Sequence, residues 1–324
     1  MKFPFGALAF FAMGLLGPGS ASAQSFPSKP VTIVVPYLAG GSIDVFSRAV
    51  SNKLSAEWGQ PVVILNKSGA NEAIAADFVA KSAPDGHTLL IATESALTMN
   101  PHLYKKLAYN PLTDLAPVSR IVNVPMVLFA PASSPANTLK EFITLARSSQ
   151  KSLNYGSTGT GGIVHIPLAI FAKQEGIDMV HVPYKGAAAL VPDTITGTID
   201  LSVIAVSNVE PYVKAGKLKA LAISANNRSD VLPDVPTFKE AGVKDIGAFY
   251  NIGLLAPKGT PKAIVDKIAA DVQRVIFDVQ FKKTNIDPYA YVAIGSSPSQ
   301  FKEFIEADFK AEGEKLKALN VSLD

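Results

Sequence analysis

Val31-Thr32-Ile33-Val34-Val35-Pro36-Tyr37-Leu38-Ala39-Gly40-Gly41-Ser42-Ile43-Asp44 passes from a strand through a glycine turn into a helix. Its first residues are a β-branched run ended by a proline, the mark of a short buried strand. Phe46, Ala49, Val50 and Leu54 then recur at helical spacing over 44–57, and Gly59 supplies a stop. Strand, glycine turn and helix together are the repeating unit of an α/β protein.

The same context returns at Tyr155-Gly156-Ser157-Thr158-Gly159-Thr160-Gly161-Gly162-Ile163-Val164-His165, with four glycines and three hydroxyl residues. Glycine bares the backbone N–H groups of such a turn and tolerates positive φ. A helix that starts just after it adds unpaired N–H groups and a positive dipole end. The combination is an anion seat. It is not a nucleotide P-loop, because no Gly-Lys-Ser/Thr follows, and Val164 stands where a dinucleotide fingerprint needs its last glycine. Two such turns predict a protein that grips a small anion from both sides.

Working outward, strands are predicted at 61–65, 87–93, 153–155, 180–182, 201–205 and 218–224. Helices are predicted at 71–81, 138–149, 163–174, 187–195, 261–278 and 298–319. The alternation predicts mostly parallel sheets. No stretch is polar and glycine-rich enough to be a flexible linker. The chain is therefore expected to cross between two lobes in ordered strands, at Val127-Leu128-Phe129 and Gly253-Leu254-Leu255. The expected lobes are 24–127 with 254–324, and 128–253, with the C-terminal helices returning to the first lobe. Such a clamp holds its ligand between lobes, at the C-terminal ends of strands.

The N-terminus reads as a leader over 1–23. An apolar run spans 5–16, too short to cross a bilayer comfortably, and Ala21-Ser22-Ala23 has the form of a signal-peptidase site before Gln24. The alternative is an N-terminal membrane anchor. The chain has no cysteine, which excludes disulfides, thiol catalysis and lipidation of a mature N-terminal cysteine. A secreted, unanchored protein without disulfides points to the periplasm. The formal charge of +3, or +2 once Lys2 is removed, is too mild to argue for nucleic acid or a membrane surface.

A set of motifs then carries a family resemblance. In order they are Pro36-Tyr37-x-x-Gly40-Gly41-x-x-Asp44, Asn66-Lys67-x-Gly69-Ala70, Pro84-Asp85-Gly86-x-Thr88-Leu89, and Tyr155-Gly156-Ser157-x-Gly159-x-Gly161 with His165. Val182-Pro183-Tyr184-Lys185-Gly186, Leu232-Pro233-Asp234-Val235-Pro236-Thr237 and Ala256-Pro257-x-Gly259-Thr260-Pro261 complete it. Together they resemble the Bug family, the periplasmic solute-binding proteins of tripartite tricarboxylate transporters. The resemblance implies a two-lobed type II periplasmic-binding-protein fold with two crossing strands. It implies capture of a small carboxylate without chemistry: a di- or tricarboxylate, an acidic amino acid or an aromatic acid. The ligand residues it implies are Tyr37, Ala39, Gly40, Gly41 and Asp44, with Ser157, Thr158, Gly159, Gly161 and His165. Tyr184 and Lys185 border the cleft. The implied partner is a membrane permease, the chain acts as a monomer, and neither cofactor nor nucleic acid is involved. Feeding a signalling system is the alternative to transport.

The chain departs from the family pattern after Gly69-Ala70, where Asn71-Glu72-Ala73 replaces frequent glycines. Glu72 either adds a negative charge near the cleft or sits in the first turn of a helix, where acids are favoured. Gly162 stands where a serine is common, and Leu38-Ala39 replaces a more proline-rich turn.

Individual residues carry two readings each. Asp44 either braces the glycine turn or accepts hydrogen bonds from a ligand amine. His165 either bonds a ligand carboxylate or is a buried histidine bonded to backbone. Lys185 is either a cleft-side cation or solvated. Arg48 and Arg228 read as ordinary surface charges. His87, His102 and His181 are scattered without metal-ligand spacing. Ser157 with His165 is the only tempting nucleophile and base, and the serine lacks a Gly-x-Ser-x-Gly elbow. A binder is therefore expected, with a secreted hydrolase as the alternative.

Overall fold

The computed structural model describes residues 26–319, 321 and 323. The leader predicted over 1–23, with its cleavage site, lies outside the described residues. The chain runs β1 (Val31–Val35), α1 (Ser42–Trp58), β2 (Val62–Asn66), α2 (Ala73–Ala80), β3 (Thr88–Ala92), a π-helical turn (Ser95–Met99), α3 (Asn100–Leu103) and β4 (Leu115–Pro131). It continues α4 (Leu139–Ser148), β5 (Leu153–Ser157), α5 (His165–Glu175), β6 (Met179–Pro183), α6 (Ala187–Ile195), β7 (Leu201–Ala205), α7 (Val206–Lys214) and β8 (Leu218–Ile223). The last elements are β9 (Phe249–Pro257), α8 (Lys262–Phe277), α9 (Val279–Asn285), β10 (Val292–Ala293) and α10 (Pro298–Leu319).

The main path of strands is β2-β1-β3-β9-β4-β7-β5-β6. The outer pairs, β1 with β2 and β3, and β5 with β6 and β7, are parallel. The long strands β4 and β9 are antiparallel to each other and to their other neighbours. The sheet is thus mixed rather than mostly parallel. Each βα unit feeds parallel strands, but a strand that passes from one set to the other runs against them.

The change of set is sharp. β4 pairs with β9 as far as Pro125 opposite Phe249, and from Met126 onward it pairs with β7 and then β8. The Met126 N–H donates to the Ala248 carbonyl at this junction, 3.0 Å. Gly253-Leu254-Leu255 pairs inside the first set, against β3 and the early part of β4.

Helices cover both sets. α1 buries Phe46, Val50 and Leu54, and Phe46 meets Phe281 and Tyr291 edge-on at 6.4 and 5.5 Å. α10 begins on the first set, where Phe301 and Ile305 are buried, and ends with Leu316 against Met99, Leu103 and Ile166 of α5. The last helix therefore touches both sets. No helix among the described residues is long and apolar enough to cross a membrane.

One predicted helix changes at its start. Residues 71–81 read as one helix, but Ala70, Asn71 and Glu72 have φ of 45°, 49° and 74°, so α2 begins at Ala73. Helical periodicity reports which side chains share a face and carries no sign of a left-handed entry.

Packing of α10 on β9 leaves no room at Gly253. A Cβ there would lie 2.3 Å from the Phe301 ring, which is buried. Gly253→Ala is expected to lower stability by about 1–3 kcal/mol. The urea midpoint checks this, and an unchanged midpoint would contradict the packing.

Candidate functional site

The first glycine turn sits at the C-terminal end of β1 and is braced from one side. Gly40 has φ 88°, and its N–H donates to Asp44 Oδ2 at 2.9 Å. Arg48 Nε donates to the same oxygen at 2.9 Å, and Asn66 Nδ2 donates to Asp44 Oδ1 at 2.8 Å. Asn66 Nδ2 also reaches the Tyr37 carbonyl at 2.9 Å. Asp44 is 1% exposed. Burial raises its carboxyl, but hydrogen bonds from Arg48, Gly40 and Asn66 outweigh that and hold it below its ordinary value. These contacts give Asp44 the bracing role, and Arg48 is its partner rather than a free surface charge. Ala39, Gly40 and Gly41 are exposed. Among the described residues, nothing accepts the N–H groups of Ala39 or Gly41.

The second loop follows β5 and is braced by its own side chains. Ser157 Oγ donates to the Gly159 carbonyl at 2.9 Å and accepts from the Gly159 N–H at 3.2 Å. The Gly161 N–H donates to His165 Nδ1 at 2.9 Å. Two of the amides expected to meet a ligand are thus committed within the loop. The N–H groups of Thr158, Thr160 and Gly162 have no acceptor among the described residues. His165 is 7% exposed and bonded to backbone. Accepting at Nδ1 requires the neutral ring with its proton on Nε2. Burial, and then the neighbouring His181, push His165 down to about 4.

Ser157 meets His181, not His165. The Ser157 Oγ–His181 Nε2 distance is 2.7 Å, and the His165 and His181 rings stack at 3.9 Å beside Tyr155. Either group can donate in this contact: the Ser157 hydroxyl also lies within reach of the Gly159 carbonyl, and the His181 tautomer sets the direction. His181 lies opposite Tyr155 in the β5–β6 register, an adjacency that its sequence position did not reveal. Tyr184 donates its hydroxyl to Asp193 at 2.7 Å and its N–H to the Ser157 carbonyl at 2.9 Å, fixing the next turn to the loop. Lys185 is exposed.

The second loop is joined to the segment after β2 by a residue outside the expected set. Asn71 Nδ2 donates to the Thr160 carbonyl at 3.0 Å, and the Asn71 carbonyl accepts from buried Asn100 Nδ2 at 2.7 Å. The signal available in the sequence was the departure from glycine at this position. Its neighbour Glu72 is not in a first helical turn. It precedes α2, is 3% exposed, and accepts from the Tyr37 hydroxyl, the Thr93 hydroxyl and the Thr93 N–H, the last at 2.9 Å. Burial raises the Glu72 carboxyl above its ordinary value, with bonds from Thr93 and Tyr37 acting the other way. Burial likewise raises the Tyr37 phenol, and the Glu72 charge adds to it. No group of histidines and carboxylates among the described residues is arranged to hold a metal.

A family model described as the tripartite tricarboxylate transporter family receptor matches residues 46–321. The protein BugT of Bordetella pertussis is 35% identical over 75% of this chain and 76% of its own length. A Rhodopseudomonas palustris protein solved with adipate superposes with a TM-score of 0.86 at 30% identity, covering 92% of this chain and 99% of that one. MatC of the same organism, solved with bound malate, has a TM-score of 0.82 at 30% identity, covering 90% and 100%. The two-lobed α/β fold of periplasmic binding proteins, expected from the motifs, is borne out by these superpositions.

The histidine stack makes stability depend on pH. The unfolded chain protonates His165 near 6.5 and the folded chain only near 4, so folding loses stability as pH falls through that window. Relative to His165→Gln, the wild type is expected to lose up to about 3 kcal/mol between pH 7 and 4. Comparing the two proteins removes opposing contributions from buried acids. Urea unfolding across pH checks it, and parallel profiles would contradict it.

Proposed function

The chain belongs to the tripartite tricarboxylate transporter receptor family, and we propose that it is a periplasmic receptor that captures a small carboxylate between its two glycine turns. One observation carries the reading. The amides of Ala39 and Gly41 on one turn, and of Thr158, Thr160 and Gly162 on the other, have no partners among the described residues, and Asn71 bonds the second loop. Backbone N–H groups with no internal acceptor are what a carboxylate needs to replace its water. Relatives solved with adipate and with malate support the same ligand chemistry.

In this reading Ala39, Gly41, Thr158, Thr160 and Gly162 donate to the ligand. Gly40, Gly159 and Gly161 permit the backbone path, while Asp44, Ser157 and His165 hold it. Tyr37, Tyr184 and Lys185 border the cleft. The lobes divide near 125/126 and 248/249, where β4 changes partners, a few residues from the expected bounds of 24–127 with 254–324, and 128–253. The leader over 1–23 directs the chain out of the cytoplasm, where it acts as a monomer and delivers its solute to a membrane permease or to a sensor. Catalysis is disfavoured because Ser157 is fully buried, so its hydroxyl is not presented to a substrate.

Hydrogen bonds to a charged group contribute about 1.5–3 kcal/mol each. A few of them, less the cost of ordering, correspond to binding near −8 kcal/mol, or about micromolar. A carboxylate at a hundred times its dissociation constant is then expected to stabilise the fold by about 2.7 kcal/mol. Thermal shifts with di- and tricarboxylates, acidic amino acids, aromatic acids and monoacids test this. No shift with any acid would overturn the reading. Gly161 has φ 75°, with Leu103 and Leu323 each 3.1 Å from a built Cβ. Gly161→Val is therefore expected to remove the ligand shift while unfolding stays cooperative. Normal binding by that variant would show that the loop is not the seat.

A further inference from the structure

Ala70, Asn71 and Glu72 are consecutive non-glycine residues with φ of 45°, 49° and 74°. L side chains rarely adopt this region, and such strain persists only where surrounding contacts over-determine it. Here they do. Asn71 is held at its carbonyl by Asn100 and at its amide by Thr160. Glu72 is held at both oxygens: Oε1 takes the Tyr37 and Thr93 hydroxyls, and Oε2 takes the Thr93 N–H at 2.9 Å.

The place of this carboxyl matters. Tyr37 belongs to the first glycine turn, Thr93 follows directly on β3, and the residue before Glu72 bridges to the second loop. Glu72 therefore lies buried at the C-terminal ends of β1 and β3, bonded to Tyr37 of the turn whose amides are assigned to the ligand. Two hydroxyls and a backbone amide converging on one carboxyl are the donor set of a carboxylate-binding site. Their acceptor is part of the chain. With its oxygens committed to three donors, Glu72 is not arranged to receive a ligand cation.

We propose that Glu72 is a built-in occupant of a second carboxylate seat formed by Tyr37 and Thr93, and that the receptor consequently takes acids with a single carboxylate and excludes dicarboxylates. This rests on the carboxylate-receptor reading above. In this proposed arrangement the two glycine turns grip one carboxylate between them and the far end of the ligand runs toward Tyr37, which belongs to the first turn and reaches Glu72. A second carboxylate there finds its donors taken and meets a buried acid.

The test uses calorimetric titration with matched acids: hexanoate, the monoamide of adipate, and adipate; then butanoate and succinate. The wild type is expected to bind the monoacids at least tenfold more tightly than the diacid of the same length. Glu72→Gly vacates the seat, suits the left-handed backbone, and is expected to raise diacid affinity at least tenfold. Glu72→Gln keeps the seat filled without the charge and is expected to leave the diacid excluded. Equal or tighter binding of diacids by the wild type would overturn the inference without any variant, while leaving the receptor reading intact. No gain in Glu72→Gly, or an equal gain in Glu72→Gln, would also overturn it. Failure of every acid to bind the wild type would overturn the receptor reading as well.

Discussion

A turn that leads from strand to helix exposes more N–H groups than it has carbonyls to receive them, because the first helical turn has no preceding residues to pair with. Buried or half-buried, such groups must find acceptors. In this protein the surplus at the ends of β1 and β5 is divided. Asp44 takes the Gly40 amide, Ser157 the Gly159 amide and His165 the Gly161 amide. In both turns the bonded amides stand next to unbonded ones. The side chains that brace each loop thereby fix the direction of the amides left over.

That arrangement needs the two turns to face each other, which is the work of the long strands. β4 changes partners between Pro125 and Met126, so two sets of parallel strands present their C-terminal ends across one junction. Asn71 then ties the second loop to the segment that holds Tyr37 through Glu72, by a side-chain bond to Thr160. The same segment positions Glu72 against Tyr37 of the first turn.

Much of this was legible in the residues, and the division follows physical range. The run Val31–Val35 and the helices Ala187–Ile195 and Pro298–Leu319 were readable because apolar periodicity is a local property. The glycine turns were readable because positive φ demands particular residues, as Gly40 and Gly161 show. What escaped depended on contacts between distant segments. β4 extends back to Leu115 because β9 pairs with it there, and no local pattern marks that partner. His181 bonds to Ser157 through strand register, although His165 is nearer in sequence. The left-handed path of Ala70, Asn71 and Glu72 runs against local preference, and contacts with Tyr37, Thr93, Asn100 and Thr160 impose it. The family resemblance covered the fold and the loops, and the chain's own character lies where it departs from that pattern.

The central claim concerns backbone amides, so the most direct measurement observes them. In nitrogen-15-labelled protein titrated with the acid giving the largest thermal shift, the amide protons of Ala39, Gly41, Thr158, Thr160 and Gly162 are expected to move downfield together and saturate with one binding curve. Those of Gly40, Gly159 and Gly161, already bonded inside the chain, are expected to move less. Saturable binding that leaves the first five unmoved would contradict the account.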